Sequence, residues 1–243
     1  ASGELPARSA PSAGRVAADA LLRGPSPDEG PAVVVMGASV ERVQGGDPLP
    51  TEELRSVLES SVVHLGVRAC GVRRQATATM LRAGGAPVGL TAGHAVRGAR
   101  SATLSGAGLG VAEGRVEGHL QRRDAALVDL SGLGAPPGAG LPTGPPPAVG
   151  DEVTVAGFPG GAWQVESGAV LERSSLRISG GPVEVFVVDV PALRGASGGV
   201  VVDASGAAVG LVTELDPRTG HAVAQSVEDL LGAPVSASPP EAC

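Results

Sequence analysis

Between residues 61 and 224 the chain alternates short apolar, β-branched runs with punctuation by glycine and proline. Segments 61–67, 76–82, 86–91, 101–104, 124–130, 152–156, 163–171, 183–190, 198–203, 207–213 and 221–224 have strand length and are bounded by turn formers. That many short strands predict an all-β barrel or sandwich. Residues 132–150 are too rich in Gly and Pro for a helix or a central strand, and they divide the strands into two sets. The pattern therefore predicts two barrels.

Helical periodicity is confined to two places. Leu54, Val57 and Leu58 fall on one face after Pro50-Thr51, with Thr51 as the expected cap and Glu52 and Glu53 suiting the positive helix end. Residues 227–231 form a second short helical pattern. Ahead of these, residues 1–30 read as a lead-in rich in Ala, Ser, Pro and Gly, and Ala32–Met36 as an edge strand. The expected organisation is an N-terminal extension over 1–58, a first barrel over 59–137, a second over 138–232 and a tail over 233–243.

Composition narrows the picture. Of 243 residues 42% are hydrophobic but only 1% aromatic, so the core must be built from Val, Leu and Ala. Lys is absent and every basic side chain except His is Arg, a bias that points to a GC-rich bacterial coding sequence. A net charge of −7 with scattered Arg and almost no aromatics excludes a basic groove with stacking platforms, so no nucleic-acid partner is expected. No apolar run reaches the length of a membrane-spanning helix. The first residues lack Met, a basic region and an apolar region, which fits a chain that begins after a removed signal or anchor. Nothing in the patterning specifies an oligomeric state, a metal or a cofactor.

Three local motifs carry chemistry. In Gly195-Ala196-Ser197-Gly198-Gly199 the glycines permit a tight turn, so the amides of Gly195 and Ser197 can converge on one point beside the Ser197 hydroxyl. In Leu90-Thr91-Ala92-Gly93-His94 an apolar strand ends in small residues and an imidazole follows at once. Asp124 stands just before a buried strand, where its carboxylate can accept the imidazole Nδ1–H. Asp129 is the rival carboxylate, five residues on and on the opposite face of that strand. His64, His119 and His221 lack such settings and read as ordinary strand or loop residues.

Taken together, the order His94, Asp124, Ser197 resembles the trypsin/chymotrypsin family of serine proteases, with Gly210-Leu211-Val212-Thr213 similar to the strand that pairs with substrate. The resemblance extends to the actinobacterial acid-resistance (MarP-type) periplasmic proteases. There it rests on Ala76-Thr77-Ala78-Thr79-Met80-Leu81, Gly157-Phe158-Pro159-Gly160-Gly161 and the two cysteines, over roughly residues 60–232.

It implies two six-stranded antiparallel β-barrels of chymotrypsin type and a serine endopeptidase acting on protein or peptide substrates. His94, Asp124 and Ser197 would be the triad, and Gly195 and Ser197 the oxyanion hole. Substrate would be bound by Pro191, Val212, Thr213 and Glu214. A Cys70–Cys243 disulfide and export to the periplasm, cell envelope or medium are also implied. Pro191 stands at the pocket base where a carboxylate would select Arg or Lys, so a small or aliphatic residue is expected before the scissile bond. Gly157–Gly161 reads as a structural turn.

One departure matters. Ala196 replaces the Asp or Asn usual beside the nucleophile and cannot accept the ion pair that orders the oxyanion loop in animal members. Either another contact orders Gly195, or the hole forms only with substrate. A catalytically weak domain that binds peptides or a partner is the competing expectation.

Overall fold

The computed structural model describes residues 33–35, 38–84, 87–136, 138–178 and 181–236. Two antiparallel barrels account for most of it. In the first, strands β3 (Val62–Ala69), β4 (Val72–Leu81), β5 (Val88–Ala92), β6 (Ser101–Gly106), β7 (Gly110–Leu120) and β8 (Ala125–Val128) run in the order β7-β6-β3-β4-β5-β8, and pairing of β7 with β8 closes the ring. In the second, β9 (Glu152–Gly157), β10 (Gln164–Ile178), β11 (Gly181–Pro191), β12 (Val200–Val202), β13 (Ala208–Leu215) and β14 (His221–Ser226) close in the order β10-β11-β14-β13-β12-β9. Closure leaves no barrel edge unpaired.

Strand β7 was not expected from the pattern. Its sequence, Gly-Val-Ala-Glu-Gly-Arg-Val-Glu-Gly-His-Leu, does alternate, but two of its buried positions are Gly114 and Gly118. A Cβ on Gly114 would lie 2.4 Å from the Asp129 carbonyl oxygen and 2.6 Å from Leu104 Cδ1. Close packing therefore demands glycine where a period-2 reading looks for Val or Leu.

Outside the barrels, β1 (Val33–Val35) pairs with β2 (Ala38–Val40), while Ala32 and Met36 lie outside the described residues. Helix α1 spans Thr51–Ser61, but its cap is Pro50 and no side chain caps it, so Thr51 is the first helical residue and not the expected cap. Leu58 is fully buried, with Leu54 and Val57 packed on the same cluster. Helix α2 (Val227–Leu231) follows β14, and β15 (Val235–Ser236) returns to pair with β7 of the first barrel.

The Gly/Pro-rich connection is docked rather than loose. The Leu141 N–H donates to the Met80 carbonyl, the Gly144 N–H to the Ala208 carbonyl, and the Ala208 N–H to the Pro142 carbonyl. Leu141 is fully buried in a cluster that draws Leu81 and Leu90 from one barrel and Val200 and Leu211 from the other. This shared aliphatic core fixes one barrel against the other, and the site lies along that seam.

Candidate active site

Strand register brings the imidazole and carboxylate together. β5 and β8 pair with Ala92 opposite Ala125, so the residues just beyond β5 and just before β8 are neighbours. Gly93 opens a short 3-10 turn that carries His94. The His94 N–H donates to Asp124 Oδ1 at 2.7 Å, and His94 Nδ1 lies 2.6 Å from Asp124 Oδ2. One carboxylate thus grips both the backbone and the ring. This pairing raises the His94 pKa above the usual imidazole value, burial opposing it and the charges of Asp124 and Glu214 adding to it.

Asp129 is occupied elsewhere. Its Oδ1 accepts the Ser131 N–H at 2.9 Å, and this bond holds its carboxyl below the usual carboxylate range. His64, His119 and His221 lie on β3, β7 and β14; burial lowers the pKa of the first two, and His221 faces Asp189 at 3.3 Å.

Ser197 sits in the turn between β11 and β12, with its Oγ 3.1 Å from His94 Nε2. The turn requires glycine at two points. Gly195 has φ +100° and a Cβ there would lie 2.5 Å from the Phe158 carbonyl oxygen; Gly198 has φ +86° and a Cβ would lie 1.9 Å from the Thr77 carbonyl oxygen.

What shapes this turn is a set of hydroxyls from the other barrel. The Thr77 hydroxyl donates to the Gly195 carbonyl at 2.9 Å and accepts the Phe158 N–H at 2.9 Å. The Thr77 N–H donates to the Ser197 carbonyl at 2.9 Å, and the Thr79 hydroxyl to the Gly198 carbonyl at 3.0 Å. Thr91 in turn donates to the Thr77 carbonyl at 2.6 Å. All three threonines are buried.

The Gly160 N–H donates to the Arg194 carbonyl at 2.6 Å. Because a trans peptide sets its carbonyl and amide on opposite sides, the Gly195 N–H faces away from Gly160. Gly157–Gly161 is thus a turn that also holds the nucleophile loop. Ala196, buried among Val155, Val190 and Val212, contributes packing in place of an ion pair. The signal for these supports was present in Ala76-Thr77-Ala78-Thr79, hydroxyls alternating inside a buried strand and needing partners.

A cleft of about 730 Å³ runs from His94 and Ser197 past Val212, Thr213 and Glu214, with Ala192 and Leu193 on its other wall. Pro191 is not in it. That residue ends β11, is exposed, and lines a separate void of about 20 Å³ with Val190 and Ala196. Cys243 lies outside the described residues, and Cys70 sits at the β3–β4 turn with φ 54°. Among the described residues no cluster of His, Cys, Asp and Glu could hold a metal ion, and no helix is long and apolar enough to cross a membrane.

The closed double barrel and the serine beside an imidazole at its seam define a chymotrypsin-like serine protease fold. The profile of the trypsin-like peptidase domain matches residues 76–211, and the chain belongs to that family, a class of serine endopeptidases. No curated protein sequence matches the chain.

Among solved structures it is similar to the active form of the Rv3671c protease from M. tuberculosis, at 21% identity and a TM-score of 0.67 over 91% of this chain and 99% of that one. The HtrA-type protease AlgW with a tripeptide gives 18% identity and a TM-score of 0.63 over 74% of this chain and 60% of that one. A serine endoprotease from Yersinia pestis gives 20% and 0.60 over 75% and 64%. Likenesses at these identities speak to the fold.

Proposed function

We propose that the chain hydrolyses peptide bonds through Ser197, His94 and Asp124 by way of an acyl-enzyme. The observation that carries this reading is the unbroken relay from Asp124 Oδ2 to His94 Nδ1 at 2.6 Å and from His94 Nε2 to Ser197 Oγ at 3.1 Å. Ser197 Oγ attacks the scissile carbonyl while His94 Nε2 takes its proton. The carbonyl oxygen becomes an oxyanion held by the amides of Gly195 and Ser197. His94 then passes the proton to the departing amine, and the C–N bond breaks to leave an ester on Ser197. Water, deprotonated by His94, cleaves that ester and restores the serine.

The residue before the scissile bond is small or aliphatic in this reading. The cleft offers it Ala192, Leu193 and Val212, and Glu214 is the acid placed to bias a neighbouring position. Export from the cytoplasm and a Cys70–Cys243 bridge belong to the same proposal. A fluorophosphonate probe tests it: rapid labelling that maps to Ser197 is expected, and an unlabelled folded protein would overturn it.

A further inference from the structure

A second cavity of about 540 Å³ begins at the same serine but is lined by Arg73, Arg74, Gln75 and Gly160, with Arg194 common to both cavities. A peptide that lies along Val212–Leu215 and is cut at Ser197 must leave through this space, so it receives the residues after the scissile bond. The two halves of the cleft differ in whether acids accompany their arginines. The first cavity sets Asp124 and Glu214 among Arg97, Arg122, Arg123 and Arg194, whereas the second is lined by Arg73, Arg74 and Arg194 with no acid beside them. This occurs in a chain whose net charge is −7.

Among the described residues, none of Arg73, Arg74 and Arg194 forms an ion pair with a carboxylate. Arg73 also stands directly across the β3–β4 ladder from Arg68, and like charges at such positions destabilise a sheet. Arg74 is half-buried, with its Nη1 donating to the Arg97 carbonyl at 2.8 Å beside the turn that carries His94. That bond orients the guanidinium and leaves other N–H groups to donate. Unpaired arginines, one of them oriented in advance, at the mouth of a peptide cleft are a receptor for carboxylates.

We propose that Arg73, Arg74 and Arg194 select substrates bearing Asp or Glu in the first three positions after the scissile bond. The inference rests on the proteolytic reading above for its direction, and its test separates the two. Quenched peptides that differ only after the scissile bond, carrying Asp-Glu, Gln-Gln or Arg-Arg, are compared by kcat/KM. The acidic peptide should be cut about tenfold faster than the neutral one, an advantage that shrinks as ionic strength rises.

In Arg73→Glu/Arg74→Glu the order should invert, so that the Arg-Arg peptide leads. Mere loss of stability would lower all three rates together. Equal rates within about twofold across the three peptides in the parent, with no inversion in the variant, would overturn the inference. Binding of the same peptides to Ser197→Ala, read by fluorescence anisotropy, supplies a readout that needs no turnover. If the parent protein resists fluorophosphonate, the proteolytic reading fails, and the anisotropy order alone then decides: acidic tightest supports the arginine subsite, no order overturns it.

Discussion

The two barrels deliver their parts of the site by different means. In the first, His94 and Asp124 are placed by the register of β5 on β8, and the Asp124 carboxylate locks the turn that carries the imidazole. In the second, Ser197 stands in a turn with glycines at φ +100° and +86°, held from the other barrel by Thr77 and Thr79 and from its own by Gly160. The His94–Asp124 pair is a product of one barrel's own ladder. The Ser197 turn takes its shape from a contact between barrels, through the buried hydroxyls of Thr77 and Thr79. Damage to each region should therefore leave a different kinetic mark.

The largest effect tests both regions at once. Ser197→Ala should lower kcat by about 10⁶-fold in a peptide-cleavage assay, leaving only the residual contribution of binding and the oxyanion hole. Next, Asp124→Asn should cost about 10⁴-fold in kcat by favouring the wrong imidazole tautomer. Asp129→Asn should stay close to the parent, since that carboxylate caps the turn at Ser131. The opposite order in the same assay would transfer the acid role to Asp129.

A smaller loss, about tenfold to a hundredfold in kcat, is expected for Thr77→Val, which loosens the loop behind the hole without removing a donor. It also leaves the Gly195 carbonyl and Phe158 N–H without their partner, at a stability cost of about 1–3 kcal/mol by thermal or denaturant unfolding. Thr77→Ser, which keeps the hydroxyl, should recover most of the activity.

The pH profile separates the regions most finely. In the proposed mechanism His94 accepts a proton only when neutral, and its pKa is raised chiefly by its hydrogen bond to Asp124. Activity should thus rise with pH through a limb above the usual imidazole value of about 6.5, read from kcat/KM of the free enzyme. Thr77→Val should leave that limb in place, while Asp124→Asn should move it downward. A limb that shifts equally in both variants would erase the distinction between the barrels.

Sequence alone revealed one barrel mechanism better than the other. Small residues before His94, the strand after Asp124 and the glycines around Ser197 each report a local constraint, and the structure brings those three side chains together. The double barrel was equally legible from strand-length runs, except at β7, where close packing replaces expected apolar residues with Gly114 and Gly118. Long-range supports were not legible. Thr77 acts on Gly195 across 118 residues, and no local pattern states which carbonyl a buried hydroxyl will find. Pro191 was placed by counting back from Ser197, which gives a position in sequence; in the structure it ends β11 and lines a small void with Val190 and Ala196.

The most direct measurement is a crystal structure of the protein phosphonylated at Ser197. The phosphonyl oxygen should accept hydrogen bonds from both the Gly195 and Ser197 amides at about 2.7–3.1 Å, with the Thr77 hydroxyl still on the Gly195 carbonyl. An adduct oxygen turned to solvent, or a Gly195 amide facing away from it, would contradict the account.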